Sequence, residues 1–301
     1  MGFEDFIEID VDEYLFIKKV KQNLLEILFL EEKFDLVLEN FYEYETELLS
    51  IASRMMIFNN DDHVVMSRER NLVSRRIVNL LTSGRMYTDQ SVQHIKKIYG
   101  ITSSNLDIIK KEIKIQYDKS LGYRVMEALR NYVQHRGFPI HSIKFIYSSV
   151  DIDNDFQLLY RAIPLINIAK LDEDSNFKKR VLEELKNIQH NDWVDVKPLI
   201  REYIEGICNI HEKVRETIRP DLLIWERILD DTIEKFQNKF GKDVSLTGLI
   251  IAIAESDRRW TEKETIHKAF IERRQVLEKK NQVFINLHKR YVSNEIRKDD
   301  A

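Results

Sequence analysis

The scarcity of turn-forming residues is the feature that most limits what this chain can fold into. Its 301 residues include only eight glycines and four prolines, and 43% of them are apolar. Strand-rich folds reverse direction often and use glycine and proline to do so, whereas long helices need few such residues. The apolar fraction is large enough to form a sizeable core. The sequence therefore predicts an all-α protein.

Helical periodicity runs through most of the first 140 residues. Apolar residues recur there at spacings of three and four, as on the buried face of a helix. Ser103 and Ser104 are expected to cap a short helix, the Asn59–Asp62 segment to form a capping turn, and Ser83–Gly84 to break or bend a helix. The other helices predicted in this part are residues 13–30, 31–58, 63–81, 88–99 and 123–136.

The pattern changes to alternation after Pro139. Apolar residues occupy every second position around Tyr147 and again around Tyr160, and an Asp-rich stretch, 151–155, separates the two runs. Alternation of this kind on both sides of a polar turn predicts a β-hairpin. We expect this hairpin to join two helical parts.

The last third of the chain is predicted to be helical again. A seven-residue repeat of apolar residues in its final part favours coiled-coil packing on a neighbouring helix or on a second subunit. The repeat residues are Phe270, Leu277, Phe284 and Tyr291. The expected helices are 177–188, 198–218, 220–241, 245–254 and 261–297. The resulting domains are a helical bundle at 1–140, the hairpin junction at 141–166 and a C-terminal helical domain at 167–301.

The net charge of −4 conceals an uneven distribution. Residues 1–50 contain 14 acidic and 4 basic side chains, whereas residues 262–298 contain 10 basic and 5 acidic ones. Such segments either attract each other or a partner subunit, or the basic segment follows a phosphate backbone. Arg68, Arg70, Arg75 and Arg76 form a second basic stretch. It either contacts RNA or is simply solvated alongside Glu69.

The termini and cysteine content indicate a cytoplasmic location. The first residues are acidic and lack the basic start of a secretory signal, and the longest apolar cluster is too short to span a bilayer. Cys208 is the only cysteine, so an intrachain disulfide is impossible. We expect no contact with a membrane.

The segment with the clearest chemical content carries Arg130, Asn131 and His135 at the end of a predicted helix, which Gly137 and Pro139 terminate. An imidazole titrates near neutral pH and can transfer protons, and a guanidinium can hold two phosphate oxygens. These groups suit phosphodiester cleavage without a metal. Asn131 and His135 share a helix face, but Arg130 and His135 are rotated apart by about 140°. A second copy of the helix would complete the site.

The spacing Arg-Asn-x-x-x-His resembles the signature of the HEPN superfamily. Two further segments, Asn40–Glu45 and Arg76–Tyr87, together with Leu129–Pro139, are similar to a subgroup of uncharacterised bacterial HEPN-like proteins, and the resemblance covers residues 30–140. It implies a HEPN-like helical bundle with metal-independent endoribonuclease activity, in which RNA is cleaved by 2′-hydroxyl attack. No metal or other cofactor is implied. A toxin or antiviral defence role is implied, with a regulator or antitoxin as a possible partner.

The resemblance also implies roles for individual residues. Arg130, Asn131 and His135 would be catalytic, and the signature helices of two subunits would meet in a homodimer. Glu43 and Glu45 either orient the site or are ordinary exposed charges, and Gln134 sits one turn from Arg130 and is expected to hydrogen-bond it. Because some HEPN domains only bind, a non-catalytic RNA- or protein-binding helical module is the alternative. A metal-dependent hydrolase has no convincing ligand set in the sequence. His141, just past the helix, is expected to have a loop role.

Overall fold

A computed structural model describes residues 6–59, 62–152, 155–254, 260–282 and 286–292. The helices are α1 (Val11–Phe58), α2 (His63–Tyr99), α3 (Ser104–Lys119), α4 (Leu121–His135), α5 (Ile168–Asp172), α6 (Lys179–Lys186), α7 (Val196–Phe240) and α8 (Ala269–Lys280), with a 3-10 turn at Leu287–Lys289. The strands are β1 (Ser142–Ile152), β2 (Asp155–Asn167), β3 (Trp193–Asp195), β4 (Ile250–Ala254) and β5 (Trp260–Thr265). The mainly α class is confirmed. Within these ranges, no helix combines the length and apolar character needed to cross a membrane.

Three helices are longer than the sequence indicated. The predicted helices 13–30 and 31–58 are one helix, α1, because the charges at its centre do not stop it: Glu31 is buried and ion-pairs with Arg215 at 2.6 Å. The predicted break at Ser83–Gly84 is also absent. Gly84 continues α2 and gives close access to Tyr203, whose hydroxyl oxygen would lie 2.4 Å from a β-carbon at this position.

The third long helix, α7, replaces the two helices expected at 198–218 and 220–241. Pro220 lies inside it, although proline removes one backbone hydrogen bond and usually kinks a helix. Ile218, Leu222 and Leu229 are buried on both sides of the proline. Burial of that face offsets the lost hydrogen bond.

Predicted helix ends are confirmed where a local signal marks them. Asp62 caps α2, since its carboxylate accepts a hydrogen bond from the backbone N–H of Val64 at 3.1 Å. Ser103 caps α3 by accepting from the N–H of Asn105 at 3.1 Å, and Gly100, at φ 91°, follows the last residue of α2. The other residues of the expected capping turn, 60 and 61, lie outside the described residues.

The predicted β-hairpin is confirmed. Strands β1 and β2 pair in antiparallel register, with Tyr147 opposite Tyr160. Residues 153 and 154 of the turn lie outside the described ranges. The sequence did not indicate β3, which pairs with β2 and makes a three-stranded sheet in the order β1-β2-β3.

The helices predicted at 245–254 and 261–297 were wrong over most of their described residues, although 269–280 are helical as predicted. Residues 250–254 form a strand rather than part of a helix, because β-branched isoleucines favour a strand when a partner such as β5 is present. The expected long helix at 261–297 contains β5 and the 12-residue α8. Its apolar repeat is not a coiled-coil seam: Phe270 is buried but Tyr291 is 79% exposed, and Phe284 lies outside the described residues.

The chain divides into two compact units that are not consecutive in sequence. The first takes its described residues from Met1–Asp35, Gln90–Ile109 and Glu212–Gln282, and the second takes them from Leu36–Asp89, Lys110–His211 and Val283–Ala301. This division differs from the expected domains 1–140, 141–166 and 167–301, because α1, α2 and α7 each supply residues to both units. The hairpin lies within the second unit.

The acidic N-terminal segment and the basic C-terminal segment attract each other within the first unit. Glu32 on α1 pairs with Arg273 on α8, and Asp35 on α1 pairs with Lys280 on α8, each at 2.7 Å. These contacts support the first of the two interpretations of the uneven charge.

Candidate functional site

The signature residues lie at the end of α4, a helix that the second unit holds tightly by its first turn. Ser120 is its N-cap and accepts a hydrogen bond from the backbone N–H of Tyr123 at 3.1 Å. Glu202 of α7 accepts hydrogen bonds from the Ser120 hydroxyl at 3.2 Å and from the Gly122 N–H at 2.9 Å. The start of α4 is therefore fixed to α7 through one carboxylate.

Glycines allow the backbones to approach closely here. A β-carbon at Gly122 would lie 2.3 Å from the carbonyl oxygen of Leu199 in α7, and one at Gly206 in α7 would lie 2.7 Å from the ring of Tyr123. Both distances are too short for a real side chain. The rings of Tyr123 and Tyr203 lie 5.1 Å apart, and both side chains are buried. The first two turns of α4 are thus close-packed.

A partly buried ion pair completes this anchor. Arg124 donates to Glu184 of α6 at 2.9 Å and to the backbone carbonyl oxygens of Tyr117 and Asp118 at 3.0 and 2.7 Å. These two carbonyls belong to the last turn of α3. The guanidinium therefore ties α3, α4 and α6 together, and it is not available for chemistry.

The second half of α4 presents a polar face to solvent. At 100° per residue, five polar side chains fall within an arc of about 140°, with Arg130 at one edge and His135 at the other. Asn131, Gln134 and His135 are exposed, and Arg130 is half-buried. Arg130 donates to the side-chain oxygen of Asn131 at 3.4 Å. The remaining member of the face is Glu127.

Glu127 and its partner on α2 are site residues that the sequence analysis missed. Arg85 donates to Glu127 at 3.1 Å and to Asp89 at 2.8 Å. Burial raises the pKa of the Glu127 carboxyl group, and the positive charges of Arg85 and Arg130 oppose that rise. The spacing of Glu127 and Arg130, three residues apart on one helix, was the available signal. The sequence contained no comparable signal for Arg85, which lies 42 residues away on α2.

The end of α4 is also anchored. Arg136, its C-cap residue, donates to the Glu173 carbonyl at 3.3 Å and lies 3.5 Å from the Asp174 carboxylate. The Tyr132 ring packs edge-on against His141 and Phe177, each at a centroid distance of 6.2 Å. These contacts hold the last turn, so that the exposed residues extend from a fixed support.

His141 is part of this support rather than of a free loop. Its Nδ1 accepts a hydrogen bond from the backbone N–H of Asn167 at 3.0 Å, so the ring is neutral and links the start of β1 to the end of β2. Burial, together with the positive charges of Lys170 and Arg70, lowers the pKa of His141 to about 4.

The supporting residues named from the sequence have other partners. Glu43 pairs with Arg76, and Glu45 receives two hydrogen bonds from Arg201 at 2.7 and 2.8 Å. In the part of the chain that the structure describes, neither glutamate bonds to Arg130 or His135. Gln134 lies on the exposed face, but Arg130 donates to Asn131 instead of to it.

Within the described ranges, no group of three or more His, Cys, Asp or Glu side chains is arranged to hold a metal ion. Comparisons with protein-family models, with curated proteins and with solved structures found no match for the chain.

Proposed function

We propose that this protein is a metal-independent endoribonuclease of the HEPN type. In this reaction the ribose 2′-oxygen attacks phosphorus and the bond from phosphorus to the 5′-oxygen breaks. The 2′-hydroxyl proton leaves to a base, and the 5′-oxygen gains a proton from an acid. The products are a 2′,3′-cyclic phosphate and a 5′-hydroxyl.

The observation that carries the proposal is the exposed polar face at the end of α4. Arg130, Asn131 and His135 share this polar face, on a helix whose other face is buried. A long polymer can reach an exposed face, whereas it cannot enter a small closed pocket. The helix end beyond this face is held by Arg136 and Tyr132, which favours fixed positions for the exposed groups.

Each side chain has a role that suits its surroundings. Among the described residues, Arg130 donates to the neutral amide oxygen of Asn131, and the nearby Glu127 is already bonded to Arg85. The Arg130 guanidinium can therefore offer its charge to phosphate oxygens and stabilise the charge that grows on them, a contribution of about 10²–10³-fold in rate. His135 acts as general acid or base and contributes about 10²–10⁴-fold. Asn131 orients Arg130.

The position of Arg130 and His135 at opposite edges of the face favours a site shared by two subunits. If two copies of α4 face each other across a two-fold axis, the Arg130 of one subunit lies near the His135 of the other. We propose such a homodimer, working in the cytoplasm in toxin or antiviral defence, where a regulator or antitoxin would control it.

A cleavage assay on labelled RNA in the presence of EDTA tests the proposal. Arg130→Ala and His135→Ala should each lower the rate by at least about 100-fold. The matched controls, Arg180→Ala and His267→Ala, remove an exposed arginine and an exposed histidine elsewhere and should leave the rate unchanged. RNA binding without cleavage by the unaltered protein would instead support a non-catalytic module.

Mixing the two inactive variants tests the shared site. A heterodimer of Arg130→Ala and His135→Ala contains one intact cross-subunit pair, so activity should return in the mixture. Light scattering should show a dimer. Activity that stays absent in a mixture proven to contain heterodimers would place each reacting pair within one subunit.

A further inference from the structure

A basic groove follows one side of the first half of α2, in the second unit. Its volume is about 580 Å³, and it is open to solvent. Arg68 and Arg75 lie seven residues apart along it, Asn71 lies between them, and Ser67 precedes Arg68 on the same side of the helix. Leu72 adds an apolar side chain to the lining. The groove thus combines two cations, two small hydrogen-bonding groups and an apolar contact.

No carboxylate among the described residues neutralises the arginines of this groove. Glu69, the acidic residue beside Arg68, is buried and accepts two hydrogen bonds from Arg54 of α1, at 2.6 and 3.0 Å. The Glu69 carboxylate therefore neutralises Arg54 and not the arginines of the groove. Among the described residues, neither Arg68 nor Arg75 has an ion-pair partner, and both side chains are exposed.

Two other arginines of α2, Arg76 and Arg85, differ from those of the groove because they pair with carboxylates. Arg76 pairs with Glu43 and lies 3.6 Å from Glu47, and Arg85 pairs with Asp89 and Glu127. The positive charges of these two side chains are neutralised by carboxylates of the protein. Positive charge in the groove remains available for a ligand.

The spacing of the two free arginines suits a chain of anions. Seven residues of α-helix rise about 10.5 Å, so each guanidinium can bind its own phosphate along one strand. Asn71, between the two arginines, and Ser67, beside Arg68, can hydrogen-bond sugar hydroxyls or phosphate oxygens of the same strand. Leu72 can contact a ribose or a base. An acidic peptide would use the arginines but would have no sugar hydroxyls for Ser67 and Asn71 to bind.

We propose that this groove binds the phosphate backbone of single-stranded RNA and holds the substrate on the second unit, which also carries α4. The proposal rests on the proposed ribonuclease function for the identity of its ligand. The groove would contribute affinity and not sequence preference, because backbone contacts position a strand without distinguishing bases.

Binding of a fluorescent oligouridylate by the full-length His135→Ala protein tests the proposal without cleavage. Arg68→Gln with Arg75→Gln should weaken binding by about 100-fold, roughly tenfold for each charged contact. The slope of log affinity against log salt should fall by about 1.4, the value for two single-strand phosphates. The matched control is Lys110→Gln with Lys111→Gln, which removes two exposed charges from α3 in the same unit and should change neither quantity.

The outcomes separate this inference from the proposed function. If both double variants bind oligouridylate equally well while the unaltered protein cleaves RNA through Arg130 and His135, the groove proposal is overturned and the function stands. Groove-dependent binding in a protein that never cleaves RNA would support the groove and overturn the function. Polyglutamate that competes for the groove as strongly as oligouridylate would mean an acidic protein partner and would overturn the proposal.

Discussion

The two halves of α4 differ in what holds them. Residues 121–129 are mostly buried, and they pack against α7 with no room for a β-carbon at Gly122. Residues 130–135 turn a polar face to solvent, and Arg130, Asn131 and Gln134 make few contacts with the rest of the protein. Packing of the first half fixes the position of the helix. The second half exposes the polar side chains of the candidate site.

This division predicts that substitutions in the two halves have separable effects. Changes in the buried half should alter the free energy of unfolding, because they affect packing and hydrogen bonds. Changes in the exposed half should alter chemistry, since exposed polar side chains with few contacts contribute little to stability. The expected effects on stability therefore decrease from the anchor to the site.

The largest effect is expected at Gly122. Gly122→Ala places a β-carbon 2.3 Å from the Leu199 carbonyl oxygen and 2.6 Å from the β-carbon of Glu202, so the helices must separate. We expect a loss of about 2 kcal/mol in urea unfolding, since overpacking costs more than the helix propensity of alanine returns. Gly137→Ala is the control, because a β-carbon there has its nearest contact at 3.4 Å and should change stability by less than about 0.5 kcal/mol. Equal effects of the two substitutions would contradict the close packing.

The distance in sequence between interacting residues explains which parts of the fold could be predicted. The starts of α2 and α3 follow from Asp62 and Ser103, whose side chains cap the neighbouring backbone. The hairpin followed from alternation of residues near in sequence. Such signals act over a few residues and are therefore visible in one chain.

Predictions failed where the deciding contact lies far away in sequence. The centre of α1 stays helical because Arg215 neutralises Glu31, and Gly84 stays in α2 because Tyr203 packs on it. The repeat through Phe270 and Tyr291 does not lie on one helix, because α8 ends at Lys280. For the site, Arg130, Asn131 and His135 were predicted from their spacing, but Arg85 was not, because its connection to the site is tertiary.

A smaller effect is expected from His141, at the support beyond the exposed half. Its pKa of about 4 lies below the 6.5 of an unfolded histidine, so the unfolded chain binds a proton first as the pH falls. The stability from His141 is complete above pH 6.5 and is lost between 6.5 and about 4. Because the ring is only partly shielded, we expect a loss of about 1.5 kcal/mol and not the full value of a buried group.

A titration of stability in His141→Gln checks this expectation. Glutamine can accept the hydrogen bond from Asn167 but does not titrate, so the difference in unfolding free energy between the two proteins should grow with pH across that window. A difference that stays constant with pH would show that His141 is not held in its neutral form.

The N-cap should have an effect of about 1 kcal/mol. Ser120→Ala removes the acceptor for the Tyr123 N–H and the donor to Glu202, whereas Gly122 still donates to that carboxylate. Ser120→Asp would restore the cap acceptor but would place a negative charge next to Glu202. Asparagine is therefore the better rescue variant, and Ser120→Asn should recover most of the loss in thermal unfolding.

The smallest effect on stability is expected at the candidate site itself, and it tests the comparison between the buried and exposed halves of α4. Asn131 and His135 are exposed, and Asn131 has only a 3.4 Å hydrogen bond with Arg130. Asn131→Ala and His135→Ala should each change the free energy of unfolding by less than about 0.5 kcal/mol in the same urea measurement. If they do, lost RNA cleavage in these variants reflects missing functional groups. A loss of stability as large as that of Gly122→Ala would mean that the exposed side chains themselves anchor the helix, and that the proposed division between anchor and site does not exist.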